Sequence, residues 1–264
     1  MLTLYFSGTG NTKYVSELFS QKMDANCLSI EDDVDFSAEI KAHDTIAFCY
    51  PIYGSRVPRI MRAFVHKHMA DLVSKKIVIL VTQQAFSGDG ARVFVDLFED
   101  GVIEVIYAEH FNIALNVGNI PVWSALFTPS ERSMAKDMKK TEAKLNIICK
   151  NIKSGKVIKR GFNKISEILG FIQGKPWQSK TNEVTPTRLE KKVIEDIRIH
   201  EDCTACNLCE DICPAKNLSN HEGKIEHRSN CTVCYRCVNR CPQKAITVYI
   251  HRKPKWQYFL QQFH

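Results

Sequence analysis

Eight of the eleven cysteines fall into two runs of the same spacing, Cys203-x2-Cys206-x2-Cys209-x3-Cys213-Pro214 and Cys231-x2-Cys234-x2-Cys237-x3-Cys241-Pro242. Thiolates at i, i+3 and i+6 sit on one tight loop, where they can hold three corners of an iron–sulfur cubane while the loop amides point at its sulfides. The fourth corner must come from elsewhere. Pro214 and Pro242 stop the local turn after each run, since proline has no N–H and a fixed φ. Structural zinc sites use two CxxC-like pairs with a longer gap and have no use for a third cysteine three residues on. Disulfides fit poorly too, because cysteines this dense in a chain with no secretory leader are more naturally metal ligands. Cys27, Cys49 and Cys149 lie among apolar neighbours and read as small buried hydrophobes.

A second chemical signal opens the chain. A β-type run, Leu2 to Phe6, enters Ser7-Gly8-Thr9-Gly10-Asn11-Thr12, and a helical pattern follows from Lys13 to Lys22 with Val15, Leu18 and Phe19 on one face. Glycines let backbone approach an anion, the hydroxyls of Ser7, Thr9 and Thr12 can donate to its oxygens, and the helix N-terminus adds a favourable dipole. The dinucleotide fingerprint fails, because Lys13 stands where its third glycine belongs. The nucleotide-triphosphate loop fails as well, lacking the Gly-Lys-Ser/Thr ending.

The elements that must position these groups alternate. Apolar runs recur at Cys27–Ile30, Thr45–Cys49, Ile77–Thr82 and Val102–Tyr107, separated by helical patterns at Arg56–His68, Ala91–Phe98 and Pro129–Lys150. With the first run, this predicts an α/β fold built on a doubly wound, five-stranded parallel sheet.

The cysteine runs resemble those of bacterial ferredoxins with two [4Fe-4S] clusters, and the first 150 residues resemble a flavodoxin. The whole chain resembles the flavodoxin-ferredoxin fusion proteins found largely in anaerobes. That resemblance implies a flavodoxin-like FMN domain over residues 1–150, a basic connector over 151–195, a smaller α+β two-cluster domain over 196–250 and an aromatic tail over 251–264. It also implies crossed ligation, with Cys203, Cys206, Cys209 and Cys241 on one cluster and Cys231, Cys234, Cys237 and Cys213 on the other. The first loop, Ser7 to Thr12, would hold the FMN phosphate. Pro51, Ile52, Tyr53 and Gly54, with Ser55, and Thr82, Gln83, Ser87, Gly88, Asp89 and Gly90, with Gln84 to Phe86 between them, would flank the ring. Both loops leave the carboxyl ends of expected strands, where open α/β sheets bind ligands. Tyr53 is the candidate to stack on the ring. Gly88, Asp89 and Gly90 are expected mainly to shape a turn.

Charge and length restrict the function. The formal net charge is +7, concentrated in residues 151–200, which carry 11 basic and 5 acidic side chains. Two oxidised clusters at about −2 each and a phosphate at about −2 would bring the loaded protein near neutrality, which removes the case for a nucleic-acid partner. No run approaches the roughly twenty apolar residues of a membrane span, and the chain meets its glycine loop at once, so the expectation is a cytoplasmic protein with no membrane insertion. In the connector, Phe162, Ile165, Ile168, Leu169 and Ile172 suggest an amphipathic helix packing one domain on the other. The lysines before it, Lys153 to Lys164, suggest a solvated face or a surface for an acidic partner. Asn112–Trp123 reads as a lid or an irregular connection, the tail Trp256–Phe263 as packing on the flavodoxin-like part, and His66 and His68 as surface residues. The function expected is electron transfer between the clusters, FMN and redox partner proteins. A flavin-dependent reductase of a small molecule is the alternative, and a redox sensor is third because no DNA-binding or signalling module is present.

Overall fold

The computed structural model describes the chain except for Ala85, Phe127, residues 175–185 and 261–264, and the side chains of Val122, Trp123, Arg188 and Leu189. Its first part alternates β1 (Leu2–Tyr5), α1 (Asn11–Met23), β2 (Asn26–Ser29), α2 (Phe36–Lys41), β3 (Thr45–Pro51), α3 (Arg59–Lys67), α4 (Met69–Leu72), β4 (Lys76–Gln83) and β5 (Glu104–Asn112). After α5 (Pro121–Leu126) and the long α6 (Glu131–Lys153), a two-residue strand β6 (Ile158–Lys159) joins the same sheet. The strand order is β2-β1-β3-β4-β5-β6, and every pairing is parallel.

Strand periodicity divides the core between the two faces of this sheet. Leu2, Leu4, Ile46, Phe48, Tyr50, Ile77, Ile79 and Val81 point to one side, where they meet Met61, Phe64 and Phe94. Ala47, Cys49, Val78, Leu80 and Tyr107 point to the other, against Val15 and Phe19 of α1 and Leu145 and Ile148 of α6. Each large aliphatic or aromatic side chain buried this way contributes roughly 1.5–3 kcal/mol. Cys49 and Cys149 lie in this apolar packing, as their neighbours in sequence imply, whereas Cys27, expected with them, is only half-buried because its strand β2 is at the sheet edge.

Three local expectations change. Beyond the five expected strands the sheet has a sixth, β6, too short and too basic to show a pattern; Ile158 and Lys159 pair with Tyr107 and Ala108. The segment expected as a helix over Ala91–Phe98 is a 3-10 turn over Arg92–Leu97. Ala91, Phe94 and Leu97 are all buried at a period of three, which a three-residue turn places in one line. His68 is not a surface residue: it packs between the rings of Phe36 and Phe64, with Ser37 and Asp71 against its Nδ1 edge.

The rest of the chain continues through α7 (Lys164–Gly174) and α8 (Arg188–Glu195) to β7 (Ile197–Ile199), α9 (Leu208–Asp211), β8 (Leu218–His221), β9 (Lys224–His227), α10 (Arg236–Arg240) and β10 (Ile246–Val248). β7 pairs antiparallel with β10, and β8 with β9. Glu222 and Gly223 both have positive φ, the two-residue turn that matches strand twist. Two buried carboxylates tie this connecting stretch down. Glu190 receives the Arg62 guanidinium at 2.8 Å while closing a capping box with Thr187. Glu109 holds Lys144 at 3.0 Å and Arg160 at 2.8 Å, pinning β5 to α6 and to the residue after β6.

His110, beside Glu109, sits beneath Gly161, and burial pushes its pKa down to about 4 from 6.5, with Glu109 opposing and Lys144 and Arg160 assisting. A base whose folded pKa is depressed stays neutral in the folded protein while the unfolded chain takes up a proton. Its contribution is therefore intact above about pH 6.5 and lost as pH falls toward 4. Relative to His110→Gln, the wild type should lose about 2 kcal/mol between pH 7 and pH 5. Thermal midpoints of both chains, measured anaerobically at the two pH values, check this; a pH-independent gap between them would rule His110 out.

Candidate functional site: a cavity between the first loop and the cysteine motifs

A cavity of about 500 Å³ opens at the carboxyl ends of β1, β3 and β4. Ser7, Gly8, Thr9, Asn11 and Thr12 form one wall, Pro51, Ile52, Tyr53 and Gly54 a second, and Thr82, Gln83 and Gln84 a third. Ile113 to Val117 and Ile120 close a further side, so the segment after β5 is a wall and a bridge rather than a lid. Val193, Val233, Tyr235 and Tyr249 complete the lining from the C-terminal part. These four could not be found from sequence: they lie far along the chain from the first loop, and no local pattern marks them.

The hydroxyls of Thr12 and Thr82 share a hydrogen bond of 2.7 Å. Two hydroxyls carry two protons and this bond uses one, leaving one to donate into the cavity. Ser7 Oγ accepts from the Gly10 amide at 3.1 Å. Tyr53 Oη and Gln84 Oε1 are buried without a hydrogen-bond partner among the described residues. A polar atom left so costs about 1–3 kcal/mol, which a ligand with a matching group removes. An anion-loving loop, apolar walls and an orphaned amide oxygen suit a flat heteroaromatic phosphate such as FMN.

Gly10, Ser87, Gly88, Asp89 and Gly90, expected at the ligand, are not brought to the cavity. Gly10 has a φ of 104°, caps α1 and lies under Leu260, whose Cβ is 2.8 Å from where a Gly10 Cβ would stand. Ser87 turns back to Gln83, Gly90 lies on Ser87 and Ile52, and Gly88 and Asp89 are covered by α7, with Asp89 also paired to Arg92. The intervening Ala85 lies outside the described residues.

The cysteine motifs repeat their backbone as well as their spacing. Ala205 and Val233 occupy the same place in the two runs, as do Asn207 and Tyr235, and Lys216 and Lys244; all six have φ between 48° and 65°. Left-handed backbone at a β-branched valine costs on the order of 1–3 kcal/mol, so its repetition calls for a reason. Such turns make successive amides converge, and sulfur receives them: Asn217 N–H on Cys213 at 3.1 Å, Ala245 N–H on Cys241 at 3.3 Å and Val233 N–H on Cys231 at 3.2 Å. A cavity of about 20 Å³ touches Cys213, Cys231, Cys234 and Cys237 together. The Cys209 thiol is raised to about 11, first by burial and then by Cys203 and Cys241. Burial also raises Cys231 to about 12 and Cys234 to about 11. Among the described residues no three His, Cys, Asp or Glu side chains stand close enough to hold one ion. Four thiols around one small cavity fit a cluster in which each thiolate takes its own iron.

The two sites meet at Gly8. A Cβ on Gly8 would stand 2.6 Å from Tyr53 Oη and 2.7 Å from the Cys234 carbonyl oxygen, so only a missing side chain permits the approach. Tyr53 lines the cavity with its hydroxyl end in this junction, and burial, with Cys234 as the next cause, pushes its pKa well above the usual tyrosine value. Arg236, between Cys234 and Cys237, donates to the carbonyls of Ser7 at 2.7 Å and Gly8 at 3.2 Å and pairs with Glu31 at 2.7 Å. Burial works against its charge, and Glu31 with Cys234 more than offsets it, so its pKa is raised. Asn239 donates to Asn116 O at 2.8 Å and accepts the Tyr258 amide at 2.8 Å, while Asn119 donates to Val248 O and Ile250 O at 3.0 Å. The described part of the tail packs where expected: Tyr258 is buried and donates to Asn11 Oδ1, and the Leu260 amide donates to Thr9 O at 2.9 Å. Residues 261–263 of that expectation lie outside the described residues.

Gly8→Ala should therefore push the cysteine loop off the first loop. We expect a loss of about 1–3 kcal/mol, read as a lower thermal midpoint of flavin-free, iron-loaded protein with iron content unchanged. An unaltered midpoint would show that the two loops can separate without strain.

Comparison with known proteins agrees with this division. A family described as "Flavodoxin domain" matches residues 2–104, and one described as "4Fe-4S dicluster domain" matches residues 202–246. Solved structures similar to the chain include two-electron reduced Megasphaera elsdenii flavodoxin, at 19% identity over 55% of this chain and 99% of that one, with a TM-score of 0.38. Oxidised Flavodoxin 2 from Bacillus cereus is similar at 17% identity over 58% of this chain and 97% of that one, TM-score 0.38. No curated protein matches the chain. The chain thus joins an N-terminal flavodoxin domain to a C-terminal 4Fe-4S dicluster domain.

Proposed function

We propose that this redox protein binds FMN in the 500 Å³ cavity and two [4Fe-4S] clusters on its crossed cysteine sets, and that it carries electrons between protein partners in the cytoplasm. The carrying observation is the contact of Gly8, Tyr53 and Cys234. Cys213, Cys231, Cys234 and Cys237 would hold the inner cluster, against the cavity. Cys203, Cys206, Cys209 and Cys241 would hold the outer one, where Cys206 is exposed to a partner. Bound FMN would supply a centre able to exchange electrons singly or in pairs.

The chain's own residues have defined parts in this reading. Ser7, Thr9 and Thr12 bind the phosphate, and Gln84 Oε1 accepts from the ring. Arg236 holds the inner cysteine loop at a fixed place on the first loop. Val193, Val233, Tyr235 and Tyr249 exclude water between the two sites.

Anaerobically isolated protein should contain about eight iron and eight acid-labile sulfide per chain, following from two four-cysteine sets; zinc in their place would sink the cluster assignment. After a rapid one-electron reduction of the loaded protein, electrons should redistribute between cluster and flavin absorbance at a rate independent of protein concentration. Cys213→Ser should slow that step while leaving FMN affinity nearly unchanged. A stopped-flow rate that instead rises in proportion to concentration would mean exchange between molecules, and small-acceptor turnover without any partner protein would favour the reductase.

A further inference from the structure

The two cysteine runs carry opposite charge. Residues 201–213 contain Glu201, Asp202, Glu210 and Asp211 and no lysine or arginine, whereas residues 231–241 contain Arg236 and Arg240 and no carboxylate. Those two arginines are engaged: Arg236 pairs with Glu31 at 2.7 Å, and Arg240 lies over the Phe259 ring. A further arginine comes from the flavodoxin domain. Helix α3 begins at Arg59 and meets the second run with its first turn. Arg59 Nη2 donates to Asn230 Oδ1 at 3.2 Å, and the Ile60 amide donates to Thr232 Oγ1 at 3.2 Å. The first two residues of the helix thus grip the residues on either side of Cys231. Pro58 supplies no side-chain cap, and the first turn contains no acid. An arginine in that place opposes the helix dipole, which favours anions at its N-terminus. Helix end and guanidinium therefore both present positive charge to Cys231, and each is stabilised by negative charge in front of the helix.

We propose that Arg59 is a positioning residue for the electron: its charge raises the reduction potential of the inner cluster and so draws electrons in the cysteine lobe toward the cavity side. The inference rests on the cluster reading above. One-electron reduction takes a cubane with its four thiolates from a formal charge of about −2 to about −3, with no bond formed or broken and no proton moved. A fixed cation favours the more negative state. Burial works against that state, and the same low dielectric strengthens the attraction to Arg59. The signs are visible at Cys231, where burial and Cys234 disfavour the thiolate and Arg59 favours it. Arg236 is a poorer lever, because its removal would strand Glu31 and break the bonds to Ser7 and Gly8. Arg59 can lose its charge without opening that junction. A merely structural part for Arg59, fastening α3 to the Cys231 loop, needs its hydrogen bond to Asn230 but not its charge.

Loaded full-length protein is titrated anaerobically with dithionite and mediators, the clusters followed by electron paramagnetic resonance and the flavin by absorbance. The wild type should show two cluster steps of one electron each. Arg59→Gln should lower one of them, cutting that cluster's reduced-to-oxidised ratio about tenfold at a fixed potential, or about 59 mV for one electron, with iron and flavin content unchanged. Cys231→Ser alters a ligand of the inner set, so the step that it moves or removes should be the same one. Arg59→Lys keeps the charge without the planar fork and should hold the ratio within about threefold of wild type. The proposal is overturned if the glutamine variant leaves both steps in place, moves both equally, moves the step that Cys231→Ser spares, or loses its iron. It is overturned as well if lysine shifts the step as far as glutamine does. A wild type with neither iron nor cluster steps would remove the cluster reading and this inference together, an outcome distinct from two steps that ignore Arg59.

Discussion

The close approach at Gly8 governs the arrangement of the rest. Backbone of the first loop and backbone of the second cysteine run touch where any side chain would keep them apart. A contact of that kind has no tolerance, so both loops must be held from behind. Arg236 holds one by spending its donors on the carbonyls of Ser7 and Gly8 and on Glu31. The bridge after β5 holds the same cysteine lobe through Asn116 and Asn119, and the tail holds the first loop by closing over Gly10 and Thr9 from the far side. Three stretches distant in sequence thus serve one van der Waals contact.

The same economy appears in the cysteine lobe. Left-handed backbone at Val233 and Tyr235 is strained in isolation, and it recurs at Ala205 and Asn207 although the side chains have nothing in common. What the paired positions share is the direction of the amides beside them. Strain that follows position rather than residue type is set by what the loop surrounds. Tyr235 shows the added use made of it, since its ring, carried out by that turn, becomes part of the cavity wall.

Much of this was legible in the sequence because its signals are local. Strand alternation separates Leu2 and Leu4 from Thr3 by side-chain period alone, and the cysteine spacing needs no tertiary information. Most of the first loop was legible for the same reason, since Ser7, Gly8, Thr9, Asn11 and Thr12 line the cavity, and Tyr53 lines it from the loop after β3. Illegible features are those decided by distant partners. Asp89 and Gly90 sit at the end of the right strand, yet α7 and Arg92 draw the turn away from the cavity. His68 stands on a helix with an exposed neighbour in His66, and only the rings of Phe36 and Phe64 show that it is inside. The apolar residues of α7 have the period of a core-facing helix and were expected to pack one domain on the other, but Ile165, Ile168, Leu169 and Ile172 are exposed. Gly170 and Gly174 face the protein in their place, because a bare backbone packs closer than any isoleucine.

Fusion by itself confers only a high effective concentration, whose value depends on whether a linker can span two sites. The geometry here is stricter. The connecting stretch is fastened at Glu109 and Glu190, and the cysteine lobe is fastened again by Arg236, Asn119 and Asn239. The separation of the two sites is then a property of the fold rather than an average over linker conformations. Burial also gives the lobe a direction: Cys234 is sealed against the cavity loops, whereas Cys206, its counterpart in the other motif, faces solvent. Two motifs related by sequence symmetry are therefore unequal in access, one closed against the first loop and the other open to solvent, without any difference in the cysteine spacing itself.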